Sequence, residues 1–278
     1  MGVANERSIA WGIAKACHEQ GAKVAFTFQG EALEKRVRPL AGSIGADIIL
    51  PCDVTNPASI DAVFAELQKQ WGELDFVVHA IAFSNKEELK GRYLETTSAN
   101  FDLTMNVSCY SFTAVAQRAV PMMPAGGSLL TMTYLGAERV MPHYNVMGVA
   151  KAALESSVRY LAADVGRLGI RVNALSAGPM KTLAASGGIG DFRYILQWNQ
   201  HNSPLERNTT LNDVGGAGLY LLGPLSAGVT GEVHHVDSGY HVVGMKNPQA
   251  PDINVAGPSP AHSPAHSSAH SSAEPRET

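Results

Sequence analysis

Residues 1–28, MGVANERSIAWGIAKACHEQGAKVAFTF, run from a glycine loop into a helical pattern and then into a strand-like segment. Ile9 and Ile13 fall on one helical face, and Gly21 precedes the β-rich stretch Lys23–Phe28. Glycines just ahead of a helix let the backbone approach a phosphate, whose charge the helix N-terminus favours. The loop reads Gly2, then Ser8-Ile9-Ala10, then Gly12, which is not the tight G-x-G-x-x-G spacing. Taken alone it also fits a plain turn with a helix cap at Ser8.

The rest of the chain repeats the alternation. Strand candidates are Lys23–Phe28, Asp47–Leu50, Leu74–Ile81, Ser128–Thr133, Ile170–Leu175 and Glu232–Val236, separated by helical stretches near 31–41, 58–71, 98–122, 144–167 and 211–222. That order predicts an α/β fold, a doubly wound parallel sheet of Rossmann type. A length of 278 residues suits one large domain. In such sheets ligands bind beyond the carboxyl ends of the strands, which directs attention to Gln29, Asp53-Val54, Ile81 to Ser84, Tyr134 and Ala177-Gly178-Pro179.

Charged residues make up 17% of the chain, the net charge is −4 and no basic stripe is present, so neither nucleic acid nor an anionic membrane is an expected partner. No apolar run approaches the roughly 20 residues of a membrane span. Glu6 and Arg7 stand where a signal peptide needs an apolar core, and a cytoplasmic protein is expected. Cys17, Cys52 and Cys109 are scattered without metal spacing, which favours buried reduced thiols over a disulfide or a ligand set.

Tyr144 precedes Lys151 by seven positions in YNVMGVAK, with a second tyrosine at Tyr134. Seven residues make almost two helical turns, so on a helix both side chains share a face. A phenol of ordinary pKa about 10 can donate a hydrogen bond or proton to a developing oxyanion, and a neighbouring cation makes it a better donor. The same spacing also occurs on an ordinary solvated helix face.

SIAWG after the glycine loop, CDV at 52–54, HAIAF at 79–83, YLGAERVMPHYNVMGVAK at 134–151, RVNALSAGPMKTLAASG at 171–187 and GEVHHVDSGY at 231–240 together closely resemble one group of proteins. These are the NADH-dependent enoyl-acyl-carrier-protein reductases of bacterial fatty-acid synthesis, within the short-chain dehydrogenase/reductase superfamily. The resemblance runs from Gly2 to about Met245. Ordinary short-chain dehydrogenases carry Tyr-x-x-x-Lys; here Met147 stands four before Lys151, and Tyr144 has the wider spacing of the enoyl reductases.

The resemblance implies NADH as cofactor, an acyl-carrier-protein thioester as substrate and a homotetramer. It places Gly2, Ser8 and Ile9 at the pyrophosphate, Gln29 near the adenosine ribose, and Asp53 and Val54 beside the adenine. Ile81 would pack on the cofactor and Ser84 would border the substrate. Lys151 would bond the nicotinamide ribose, and the backbone of Met180, Lys181, Thr182, Leu183 and Ala184 would cover the nicotinamide amide and the phosphates. Tyr144 would point at the thioester carbonyl, with Tyr134 facing the same site. Asp53 also fits a turn residue before Pro57, and Ser84 also fits a loop hydroxyl with no ligand. The glycine-rich stretch Thr182 to Arg193 would be a mobile substrate loop, and Gly187-Gly188 has one glycine more than the family's usual run.

Two features depart from the family. An apolar central strand normally precedes the glycine loop, yet Met1 directly precedes Gly2. Without it two neighbouring strands lose a partner, at about 1–3 kcal/mol for each buried backbone group left unpaired. A start site placed at an internal methionine would explain this, and a longer natural chain is the expectation; a genuine truncation is the alternative. The domain is thus expected over 1–246. Residues 247–278, Pro/Ala/Ser-rich with His262, His266 and His270 four apart, are expected to be disordered and to hold no metal. An enoyl-thioester reductase, a short-chain dehydrogenase acting on another carbonyl or alkene, and a noncatalytic remnant remain distinct functional readings, of which the resemblance favours the first.

Overall fold

The computed structural model describes residues 1–183 and 191–253. Strands β1 (Phe26–Phe28) and β2 (Ile49–Pro51) pair in parallel, Phe26 opposite Ile49. Strands β3 (Phe76–His79), β4 (Gly127–Thr133), β5 (Ile170–Ala177) and β6 (Val233–Val236) form a second parallel sheet in that order. Val77 lies opposite Leu129 and Leu129 opposite Val172. Nearly every residue of β4 and β5 is buried, as expected of parallel strands covered on both faces.

The helices supply that cover. Helices α1 (Ile9–Glu19), α2 (Glu31–Ser43), α3 (Pro57–Gln70), α4 (Lys86–Lys90), α5 (Ser98–Met105), α6 (Ser111–Ala119), α7 (Asn145–Val165), α8 (Phe192–Asn202) and α9 (Leu211–Leu222) follow in chain order. On one face Phe64 of α3, Phe112 of α6 and Leu154 and Val158 of α7 pack over Leu129 and Val172. On the other, Ile13 of α1 and Val214 and Leu221 of α9 pack over Leu130 and Leu175. Adjacent strand residues thus point to opposite cores, which is the doubly wound arrangement. No helix among the described residues is long and apolar enough to cross a membrane.

The sheet is divided. Between β1 and β3 lies a cavity of about 670 Å³, lined by the edges of both strands, by Ala10, Ile13 and Ala14 of α1 and by Val63, Phe64 and Leu67 of α3. Met1 holds a ladder position there: its amine donates to the Val78 carbonyl at 2.8 Å, and the Ala80 N–H donates to the Met1 carbonyl at 3.2 Å. That pair is the bonding pattern of parallel strands. Burial pushes the Met1 amine down to about 6.

Three local features differ from the periodicity reading. The helix expected over 98–122 is broken by a π-turn at Asn106–Tyr110, where the Ser108 hydroxyl clasps both the N–H and the carbonyl of Phe83 at 3.0 Å. Arg193, read as loop, lies in α8, whose buried Ile195, Leu196, Asn199 and Asn202 make one helical face. Asn247, read as the start of the tail, is tied to the domain by its N–H, which donates to the Asn202 side chain at 2.8 Å.

Candidate active site

The carboxyl ends of the strands bring most of the expected residues to one side of the sheet. Gly2, at φ +96°, lies with its Cα against the backbone of Ala80, where any side chain would clash. Ser8 occupies the position before α1 but does not cap it; its hydroxyl accepts from the N–H groups of Ala4 at 2.9 Å and Asn5 at 3.1 Å. The hydroxyl therefore folds the glycine loop. Ile9 opens α1.

After β1 and β2, Gln29 and Asp53 are neighbours. Hydrogen bonds from Thr55, at 2.7 Å from its hydroxyl and 2.9 Å from its N–H, hold the Asp53 carboxyl below its ordinary value, and the Gln29 side chain adds to them. Val54 is buried beside them and Ile81, after β3, packs on the same core.

Tyr144 stands just before α7 and Lys151 lies within it, and both are buried. The Tyr134 ring meets the Tyr144 ring edge-on, with centroids 5.1 Å apart. Lys151 Nζ donates to the Met132 carbonyl at 2.7 Å, and one turn on, Glu155 accepts from the Thr133 hydroxyl at 2.6 Å. Burial pushes Lys151 down to about 8, opposed by Cys109 and Glu155. Burial also raises both phenols, with Tyr134 and Glu155 adding to the effect at Tyr144. Desolvation is the largest influence on the Tyr144 phenol and favours its neutral, hydrogen-bond-donating form.

Ser84 is buried and its hydroxyl is engaged within the protein. Thr104 donates to it at 2.9 Å and the Asn100 amide at 3.2 Å. Met180 is buried, Lys181 and Leu183 are exposed, and the Thr182 N–H returns to the Met180 carbonyl at 2.7 Å. Ala184 lies outside the described residues, as do 185–190 of the expected substrate loop.

Sequence reasoning missed several neighbours. Arg7 and Arg193 join the expected Lys181 in lining a cavity of about 460 Å³ beside the glycine loop, three cations that suit a phosphate-bearing ligand. A charge inside the glycine loop was the available signal for Arg7. Gly136 lies against the Tyr144 ring, and Asn145 follows that tyrosine; neither has a spacing rule to reveal it. The uncapped start of α1, the Gly2 cradle and this cation set fit a dinucleotide.

The family described as Enoyl-(Acyl carrier protein) reductase matches residues 2–241. Enoyl-[acyl-carrier-protein] reductase [NADH] 1 of Rhizobium meliloti (strain 1021) is 68% identical over 255 residues, 92% of this chain and 93% of that protein. The crystal structure of the Anaplasma phagocytophilum reductase in complex with NAD superposes with a TM-score of 0.86 at 60% identity, covering 91% of this chain and 94% of that one. The Bacillus cereus reductase, solved with NADP+ and an indole naphthyridinone, has a TM-score of 0.86 at 52% identity, covering 88% and 96%. The match extends from the glycine loop past the last strand and includes the Tyr144–Lys151 pair, and the chain belongs to the enoyl-(acyl carrier protein) reductase family.

Proposed function

We infer that the chain reduces the trans-2 double bond of enoyl-acyl-carrier-protein thioesters with NADH, the last reductive step of the fatty-acid elongation cycle. The observation that carries this reading is the buried Tyr144 phenol, edge-on to Tyr134 and seven residues ahead of buried Lys151. NADH, when bound, supplies the hydride taken up by the substrate's β-carbon. Gly2, Ser8 and Ile9 would border its pyrophosphate, Gln29 its adenosine ribose, and Asp53 and Val54 its adenine. Ile81 would pack on it, and Met180, Lys181, Thr182 and Leu183 would cover it; Ala184, given the same role by the resemblance, lies outside the described residues.

Tyr144 would donate a hydrogen bond to the thioester oxygen, where negative charge develops as the β-carbon accepts hydride; the α-carbon of the resulting enolate then takes a proton from solvent. A donor placed at such an oxygen contributes about 2.7–4 kcal/mol to the transition state. Lys151 would hold the nicotinamide ribose through its ammonium, and Tyr134 would shape the wall beside the carbonyl. The protein acts in the cytoplasm as a homotetramer, for which exposed Tyr110 and Tyr160 offer apolar contact surface.

Turnover of a crotonyl thioester with NADH tests the activity. A protein that oxidises NADH only with a ketone substrate, or with none, would overturn it. NADH is expected to have a specificity constant about tenfold or more above NADPH, a difference of about 1.4 kcal/mol. The nearby Arg38 is held by Glu34 at 2.6 Å and lies over the Phe28 ring, while Asp53 would repel a 2′-phosphate. Equal constants would refute that assignment of the ribose pocket.

Lys151 also gives a pH dependence. With its pKa lowered to about 8, the amine carries its charge below that pH and loses it above. NADH affinity should therefore fall as pH rises through about 8, as measured by fluorescence titration. Lys151→Arg, charged throughout, should remove the inflection; its persistence would assign the titration to another group.

A further inference from the structure

The backbone around Tyr144 is strained on both sides. His143 has φ 57° and Asn145 φ 33°, in the left-handed region that L side chains rarely occupy and that surrounding structure must maintain. Asparagine enters that region more readily than most residues. The Asn145 side chain supplies restraint as well: its amide nitrogen donates to the carbonyls of Glu88 at 3.1 Å, Leu89 at 3.3 Å and Gly91 at 2.8 Å. Those carbonyls lie at the C-terminal end of α4, where the helix itself provides no partners.

The other end of α4 is also anchored. The Asn85 side chain accepts from the Glu87 N–H at 3.2 Å, and the Asn85 N–H donates to Asn100 on α5 at 2.9 Å. Asn100 also binds Ser84, whose hydroxyl accepts from Thr104. Leu89 of α4 is buried in the same cluster as Tyr144, Val146 and Met147. A continuous set of contacts therefore runs from α5 through α4 to the first residue of α7.

We propose that Asn145 is a positioning residue for Tyr144, holding the start of α7 against the end of α4 so that the phenol stays in its catalytic pose. This rests on the catalytic reading of Tyr144. Ser84 belongs to the same brace from its far side, which accounts for a hydroxyl engaged with Thr104 and Asn100.

Two replacements test the brace. Asn145→Ala removes the amide bonds and the residue suited to positive φ, whereas Asn145→Gly removes the bonds and keeps that backbone accessible. Both should lower kcat about tenfold, leaving KM for the crotonyl thioester and the NADH Kd within about twofold, because the group displaced acts in the transition state. On a Tyr144→Phe background the same replacements should cost almost nothing further, since residues acting as one unit are non-additive.

Equal losses on both backgrounds, an unchanged kcat in folded Asn145→Gly, or a rise in KM in place of a fall in kcat would overturn the proposal. So would failure of both variants to fold, which would make Asn145 a residue of stability alone. If Tyr144→Phe is itself as active as the parent, the catalytic reading of Tyr144 fails, and the positioning role fails with it.

Discussion

Tyr144→Phe is expected to lower kcat about 10²–10³-fold while leaving the NADH Kd nearly unchanged, the loss typical of removing one oxyanion donor. The ring keeps its packing against Tyr134, Val146 and Met147, so only the hydroxyl is lost. Lys151→Ala should behave differently. It deletes a buried ammonium assigned to the ribose, so NADH affinity and turnover should fall together. Steady-state turnover and direct nucleotide titration on both variants separate the roles. Equal loss of NADH affinity in the two would show that Tyr144 and Lys151 act as one binding unit, and the division proposed here would fail.

That division was partly legible before any coordinates. The Tyr144–Lys151 spacing, the glycine loop and the alternation of strands and helices all depend on short-range patterns, which a chain displays directly. The β-rich runs read at 128–133 and 170–175 correspond to strands at 127–133 and 170–177, nearly all of whose residues are buried. The π-turn at 106–110 was not legible, because it depends on Ser108 reaching back to Phe83, 25 positions earlier. The same holds at Ser84. Its partners Asn100 and Thr104, 16 and 20 positions away on α5, could not be read from the local sequence. Phenol electrostatics were likewise hidden, since burial depends on the whole core and opposes the effect expected from a neighbouring cation.

Gly136→Ala should lower kcat about 100-fold, the scale of loss from misplacing a reacting group by about 1 Å. A Cβ at this position would come within 2.7 Å of Tyr144 Cε1 and 3.3 Å of its Cγ. Retreat of the ring is restricted by buried Leu89, Val146 and Met147 around it. The Gly136 carbonyl also lies close to Gly148 on α7, so this turn and the start of α7 are packed together around the ring. The overlap must therefore be relieved by displacing the phenol, with overpacking that costs about 1–3 kcal/mol of stability. NADH affinity should change little, since Lys151 is anchored separately on the Met132 carbonyl. Steady-state kinetics, nucleotide titration and thermal unfolding on one preparation check all three expectations. A stable Gly136→Ala protein with full kcat would mean that Tyr144 tolerates displacement, and the tight pose assigned to the phenol would be wrong.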